Sequence, residues 1–143
     1  GAVLGFWWFQ NRLSFLLEAG EKEVLVLLRN EKEVTYRIKY AGRSPVDLRS
    51  LQIMLAGQIL HMDVEQVVVE AGDQRAVLEP DGTLPTGSQV TLAPGQTFDL
   101  RVTYLGQTIG GNYLYGFRIG YASGARERTY ELLLEYEYSI YVE

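Results

Sequence analysis

No cysteine occurs in the chain, which removes disulfides, thiolate zinc sites and a cysteine nucleophile at once. The single histidine, His61, leaves almost no room for His-based metal or acid–base chemistry. Methionine is present twice and asparagine three times (Asn11, Asn30 and Asn112), with no Asn-x-Ser/Thr sequon. Scarce heat-labile side chains are one mark of heat-adapted proteins. The excess of arginine over lysine, ten against three, suits that reading or a biased base composition. Cationic side chains are in deficit: 13 Lys and Arg face 18 Asp and Glu, for a net charge of −5. Such a balance disfavours polyanionic partners such as nucleic acid or an anionic membrane surface. What remains is a chain of 143 residues, 47% hydrophobic and 12% aromatic, which fits one globular domain and not a disordered acidic one.

Residues 1–9 (GAVLGFWWF) carry no polar side-chain atom beyond the Trp N–H groups, and Gln10, Asn11 and Arg12 end the run. Phe6, Trp7, Trp8 and Phe9 lie just before that polar triplet, a placement that suits the headgroup level of a membrane. As helix the run covers only about 14 Å against roughly 30 Å of hydrocarbon, so it does not span a bilayer alone. It reads as the tail end of an anchor whose earlier part precedes Gly1, with residues 13–19 prolonging the helix and Gly20 stopping it. A first β-strand burying aromatics is the alternative. The expected division is an apolar leader over 1–20 and a single β-sandwich domain over 21–143.

Beyond the leader, nearly every segment has the period of a strand. Val34, Tyr36, Ile38 and Tyr40 alternate with Thr35, Arg37 and Lys39, and Phe98, Leu100, Val102 and Tyr104 alternate with Asp99, Arg101 and Thr103. Residues 23–28, 48–55, 64–70, 76–79 and 90–92 read as shorter strands. Residues 80–88 hold two Pro and two Gly and read as a surface loop. Tyr113, Tyr115, Phe117, Ile119 and Tyr121 fall on one predicted face. So do Tyr130, Leu132, Leu134, Tyr136, Tyr138, Ile140 and Val142 of a final strand long enough to require a bend or bulge. About seven to nine short strands at regular turn spacing predict an all-β antiparallel sandwich.

Two of these stretches carry a family resemblance. Residues 34–46 (VTYRIKYAGRSPV) and 92–104 (LAPGQTFDLRVTY) resemble the strand–turn segments of prokaryotic extracytoplasmic immunoglobulin-like modules. Ala-Gly-Arg at 41–43 stands where that pattern has Asn-Thr-Gly. With its apolar amino terminus, the chain is similar to archaeal surface-filament components such as archaellum stator ectodomains and type IV pilins. The resemblance implies an immunoglobulin-like sandwich engaged in interaction work outside the cytoplasm, and it transfers no catalytic residue.

The residue inventory offers little chemistry. His61, Asp63 and Glu65 share a strand face and have ligand chemistry, but a solvated face accounts for them. Glu135 and Glu137 are neighbours on one face, in like surroundings, whereas a glycosidase needs carboxyls in unlike surroundings across a cleft. Glu79, Asp81 and Thr83 lack calcium-loop spacing. Residues 106–111 (GQTIGG) lack the lysine and the following helix of a phosphate cradle, and read as a hairpin tip.

No enzyme, cofactor, metal or small-molecule substrate is therefore expected. The expected role is a non-enzymatic module at the cell surface, tethered through its N-terminus and working by protein–protein contact or self-assembly. Tyr113, Tyr115, Tyr136, Tyr138 and Tyr141 are the candidate partner-binding residues. Residues 139–143 are expected to serve assembly and not folding. A carbohydrate-binding module using exposed Tyr or Trp rings is the alternative.

Overall fold

A computed structural model describes residues 14–56 and 60–143, apart from the side chain of Tyr136. The anchor-side residues Phe6, Trp7, Trp8 and Phe9 lie outside the described residues. Within them, ten strands form two sheets and no helix occurs. One sheet hydrogen-bonds in the order β1 (Phe15–Ala19), β3 (Glu31–Tyr40), β8 (Thr97–Gly106), β5 (Met62–Ala71) and β6 (Gln74–Val77). The other runs β2 (Glu23–Val26), β10 (Arg126–Val142), β9 (Gly110–Ser123), β4 (Val46–Ala56) and β7 (Thr91–Leu92). Pairing is antiparallel throughout except between β2 and β10. The fold is an all-β sandwich of two five-stranded sheets.

One of the ten strands, β1, corrects an expectation. Residues 15–19 do not prolong an anchoring helix; they pair with β3, Phe15 opposite Tyr40, and belong to the sandwich. The cause is Phe15, fully buried against the rings of Tyr40, Phe98, Tyr121 and Tyr130. An aromatic ring with that many partners favours an extended chain that carries it between the sheets.

The alternation read in β3 and β8 holds. Val34, Tyr36, Ile38 and Tyr40 face Leu48, Leu51, Phe117 and Ile119 of the second sheet across one core. At its centre the Tyr36 ring meets Phe117 edge-on at 5.3 Å, and its hydroxyl bonds to that of Tyr104 at 3.0 Å. Those two polar atoms satisfy each other in the interior, which avoids the cost of an unpaired buried hydroxyl. The hydroxyls are therefore tolerated at core positions.

The alternation fails in β9, whereas in β10 Tyr130, Leu132, Leu134, Tyr138, Ile140 and Val142 all face the core as read. While β9 passes from Gly116 to Leu114, β4 advances only from Met54 to Leu55, whereas β10 runs from Leu133 all the way to Tyr138. Bulges of this kind change which residues face inward. On β9 the inward set is accordingly Asn112 and Leu114 on one side of the break, then Phe117, Ile119 and Tyr121. Tyr113 is thrown to the outside, so the predicted common face of Tyr113 with Phe117 and Tyr121 does not exist. The expected bend in the last strand is present.

That last strand is also not an edge at its end. Its residues 139–142 lie between β9 and β2, and Ile140 and Val142 are core residues. Backbone bonds from Ser139 to Lys22, from Glu143 to Val26 and from Leu28 to Glu143 close the strand end. Residues 139–143 are therefore structural, which overturns the expectation that the fold does without them. Residues 107–109 likewise form no hairpin tip. They cross from one sheet to the other, with Gln107 and Thr108 both donating to the His61 carbonyl.

Candidate functional site

The outer face of the second sheet is divided in two. Its β7 side is polar: Gln52, Arg118 and Glu131 stand opposite one another on β4, β9 and β10. Arg118 donates to Glu131 at 3.1 and 3.2 Å and to Gln52 at 3.4 Å. Its other end is apolar. Leu25, Tyr141 and Gly111 form one row across β2, β10 and β9, and Tyr113 stands in the next row opposite Ser139. Leu25 is 49% exposed, Leu27 55%, Tyr113 45% and Tyr141 46%.

Local sequence explains this arrangement. In β2 the run Glu-Val-Leu-Val puts Val24 and Val26 in the core and leaves Leu25 outside, with Leu27 following it. Tyr141 lies across Gly111, where a Cβ would sit 3.2 Å from its ring. An aromatic laid over a cross-strand glycine recovers contact that the missing side chain forfeits. Ser139, on the same face, is buried. Leu25, Leu27, Tyr113 and Tyr141 thus put apolar surface on a water-facing sheet.

The five candidate tyrosines do not converge. Tyr113 and Tyr141 share this face. Tyr138 turns inward and packs half-buried against the core. Tyr115, at the β9 bulge, lines a groove of about 610 Å³ between β4 and β5, beside Arg118 and Leu60. The Tyr136 side chain lies outside the described residues. Leu25 and Leu27 were not among the candidates. Their signal is a run apolar on both strand faces, which is costly for an edge strand unless its outer face is covered.

The remaining sequence candidates are occupied locally. His61 Nδ1 lies 3.1 Å from the Thr108 hydroxyl, Asp63 accepts from Gln107 at 2.6 Å, and a bulge interrupts the strand at Glu65. Asp81 accepts from the Thr83 hydroxyl and amide at 2.7 and 3.0 Å, and these bonds hold its pKa below the ordinary value. It caps its own turn. Glu135 and Glu137 are both exposed, and Glu137 reaches Lys22 at 3.6 Å. Among the described residues no group of three or more His, Asp or Glu is placed to hold a metal. No described helix is long and apolar enough to cross a membrane.

No protein-family model and no curated protein matches the chain. Solved structures do resemble it. A family 123 glycoside hydrolase from Clostridium perfringens is 10% identical over 85% of this chain, with TM-score 0.47. This chain spans 22% of the length of that hydrolase. The ASH/PapD-like domain 7 of human CEP192 is 9% identical with TM-score 0.43, over 93% of this chain and 86% of that one. A cohesin module of a Clostridium perfringens family 33 glycoside hydrolase is 12% identical with TM-score 0.31, over 91% and 97%.

Proposed function

We propose that the chain is a non-enzymatic immunoglobulin-like module that acts by protein–protein contact. The exposed patch of Leu25, Tyr141 and Tyr113, with Leu27 beside it, is the observation that supports this reading. The partner would cover those side chains and leave the polar Gln52–Arg118–Glu131 band at the rim. That is the usual anatomy of an interface, with an apolar centre and a wet border. The exposed, locally bonded carboxylates favour a binding role over hydrolysis.

The module would work outside the cytoplasm, tethered through Phe6, Trp7, Trp8 and Phe9. An archaeal, heat-adapted envelope or surface filament is the setting to which the sequence resemblance points.

Site-specific photo-crosslinking in the native cell tests the contact. A crosslinking residue in place of Tyr141 should yield a discrete protein adduct that Leu25→Glu abolishes. The same residue in place of Thr35, on the outer face of the first sheet, should yield none. Absence of an adduct at 141, or equal adducts at both positions, would overturn the reading. Retention on a glycan array that Tyr141→Ala abolishes would replace it with carbohydrate binding.

A further inference from the structure

At the end of the sandwich where the chain enters β1, a mouth of about 350 Å³ opens between the sheets. Three arginines line it: Arg43 from the turn after β3, and Arg126 and Arg128 from the start of β10. No carboxylate lines it. Four other depressions each carry at least one, among them Glu65, Glu31, Glu70 and Glu135. In a chain with 18 acids and 13 bases, a carboxylate-free group of three guanidiniums runs against the overall charge.

The arginines are placed by the fold. Arg128 stands opposite Tyr121, and Tyr130 opposite Ile119, so Arg126 and Arg128 continue the inward-facing series of β10. Beyond Tyr130 the first sheet has ended, and these positions face the open mouth instead of a core. Arg126 follows the tight turn at Gly124, whose φ of +62° suits a two-residue hairpin loop. The Arg43 turn is held as well: the Tyr40 hydroxyl donates to the Ser44 carbonyl at 2.5 Å. A Cβ at Gly42 would collide with that same Tyr40 ring.

None of the three arginines makes an ion pair with a described residue. Residues 1–13, which precede Ser14 in sequence, contain no Asp or Glu. Among the described residues, three like charges thus line one cavity that no carboxylate lines. Guanidinium forks match tetrahedral oxyanions, and several of them around one cavity favour a doubly charged one. The Ser14, Ser44 and Ser123 residues on the same wall add neutral donors.

We propose that this mouth is an oxyanion site for a phosphate group, presented free or on a lipid headgroup. The acidity of the whole chain argues against long polyanions but not against one phosphate at a mouth that no carboxylate lines. The lipid source rests on the tether reading, because the Trp-containing leader immediately precedes Ser14 in sequence. The site itself does not.

The test uses residues 1–143 and two probes. Inorganic phosphate, titrated by NMR, should shift the Nε–H signals of Arg43, Arg126 and Arg128 saturably. Arg126→Ala/Arg128→Ala should weaken that binding by about tenfold or more, the effect of losing charged hydrogen bonds. Lys32→Ala/Arg49→Ala removes two exposed cations elsewhere and should leave it unchanged. In parallel, sedimentation compares vesicles of phosphatidylglycerol with vesicles of phosphatidylcholine. A preference for the anionic vesicles that the Arg126/Arg128 variant loses identifies a lipid source, and response to inorganic phosphate alone identifies a free one. No saturable response to either probe, or equal losses in the two double variants, would overturn the proposal. The Tyr141 crosslinking outcome is independent of all these results.

Discussion

The phenols of Tyr36 and Tyr104 show how single residues set the pH limits of this fold. In an unfolded chain each ionises near pH 10. Burial pushes Tyr36 up to about 12 and holds Tyr104 well above its ordinary value. Above pH 10 the unfolded state therefore releases protons that the folded state retains. Stability is fully present below that pH and falls as pH rises, by about 1.4 kcal/mol per pH unit for each phenol. Urea midpoints measured from pH 9 to 12 should show this decline, and the Tyr36→Phe/Tyr104→Phe variant should flatten it. A wild-type profile that is already flat would refute the assignment. Phe15 is the second decisive residue. Phe15→Ala should cost about 3–5 kcal/mol, because four rings from both sheets lose their partner. Tyr141→Ala, at a half-exposed ring, should change stability by under about 1 kcal/mol, so its effect on binding can be read separately. Chemical denaturation of the two variants checks both figures. That Tyr36 is a core residue was legible in the alternation of 34–40. That its hydroxyl meets Tyr104, 68 positions away, was not.

At the scale of elements, the terminal strand matters most. Its last residues pair on both sides, so deletion of 139–143 should strip β2 of its hydrogen-bonding neighbour and expose Val24 and Val26. The truncated chain should lose cooperative unfolding, seen as loss of amide protection in β2 and β10. Retained protection would contradict the topology. The strand-turn segments at 34–46 and 92–104 were legible as β3 and β8 because both have one wet and one dry face. β1 was not legible, since Phe15, Leu16 and Leu17 are apolar whichever way the chain coils. Tyr113 was misplaced because a bulge is invisible to a count of alternate positions. It arises where strands of unequal length must share a sheet, a mismatch that no single strand contains.

The whole molecule is one core between two sheets, and its unfolding should follow. Phe15 alone joins β1, β3, β8, β9 and β10, so neither sheet has an interior without the other. Calorimetry should give one transition with equal calorimetric and van't Hoff enthalpies, and two resolved transitions would count against a shared core. Both candidate surfaces also exist only at this scale. Leu25 and Tyr141 are 116 positions apart in the chain, and Arg43 lies 83 positions before Arg126. The sequence alone determined the fold class, the absence of thiol chemistry and the strands with one polar face. Those follow from composition and from side-chain alternation, which each segment carries by itself. Strand neighbours, bulge positions and the clustering of leucines, tyrosines and arginines were decided by tertiary pairing. Such contacts depend on which distant segments hydrogen-bond in register, and register is settled jointly by a whole sheet.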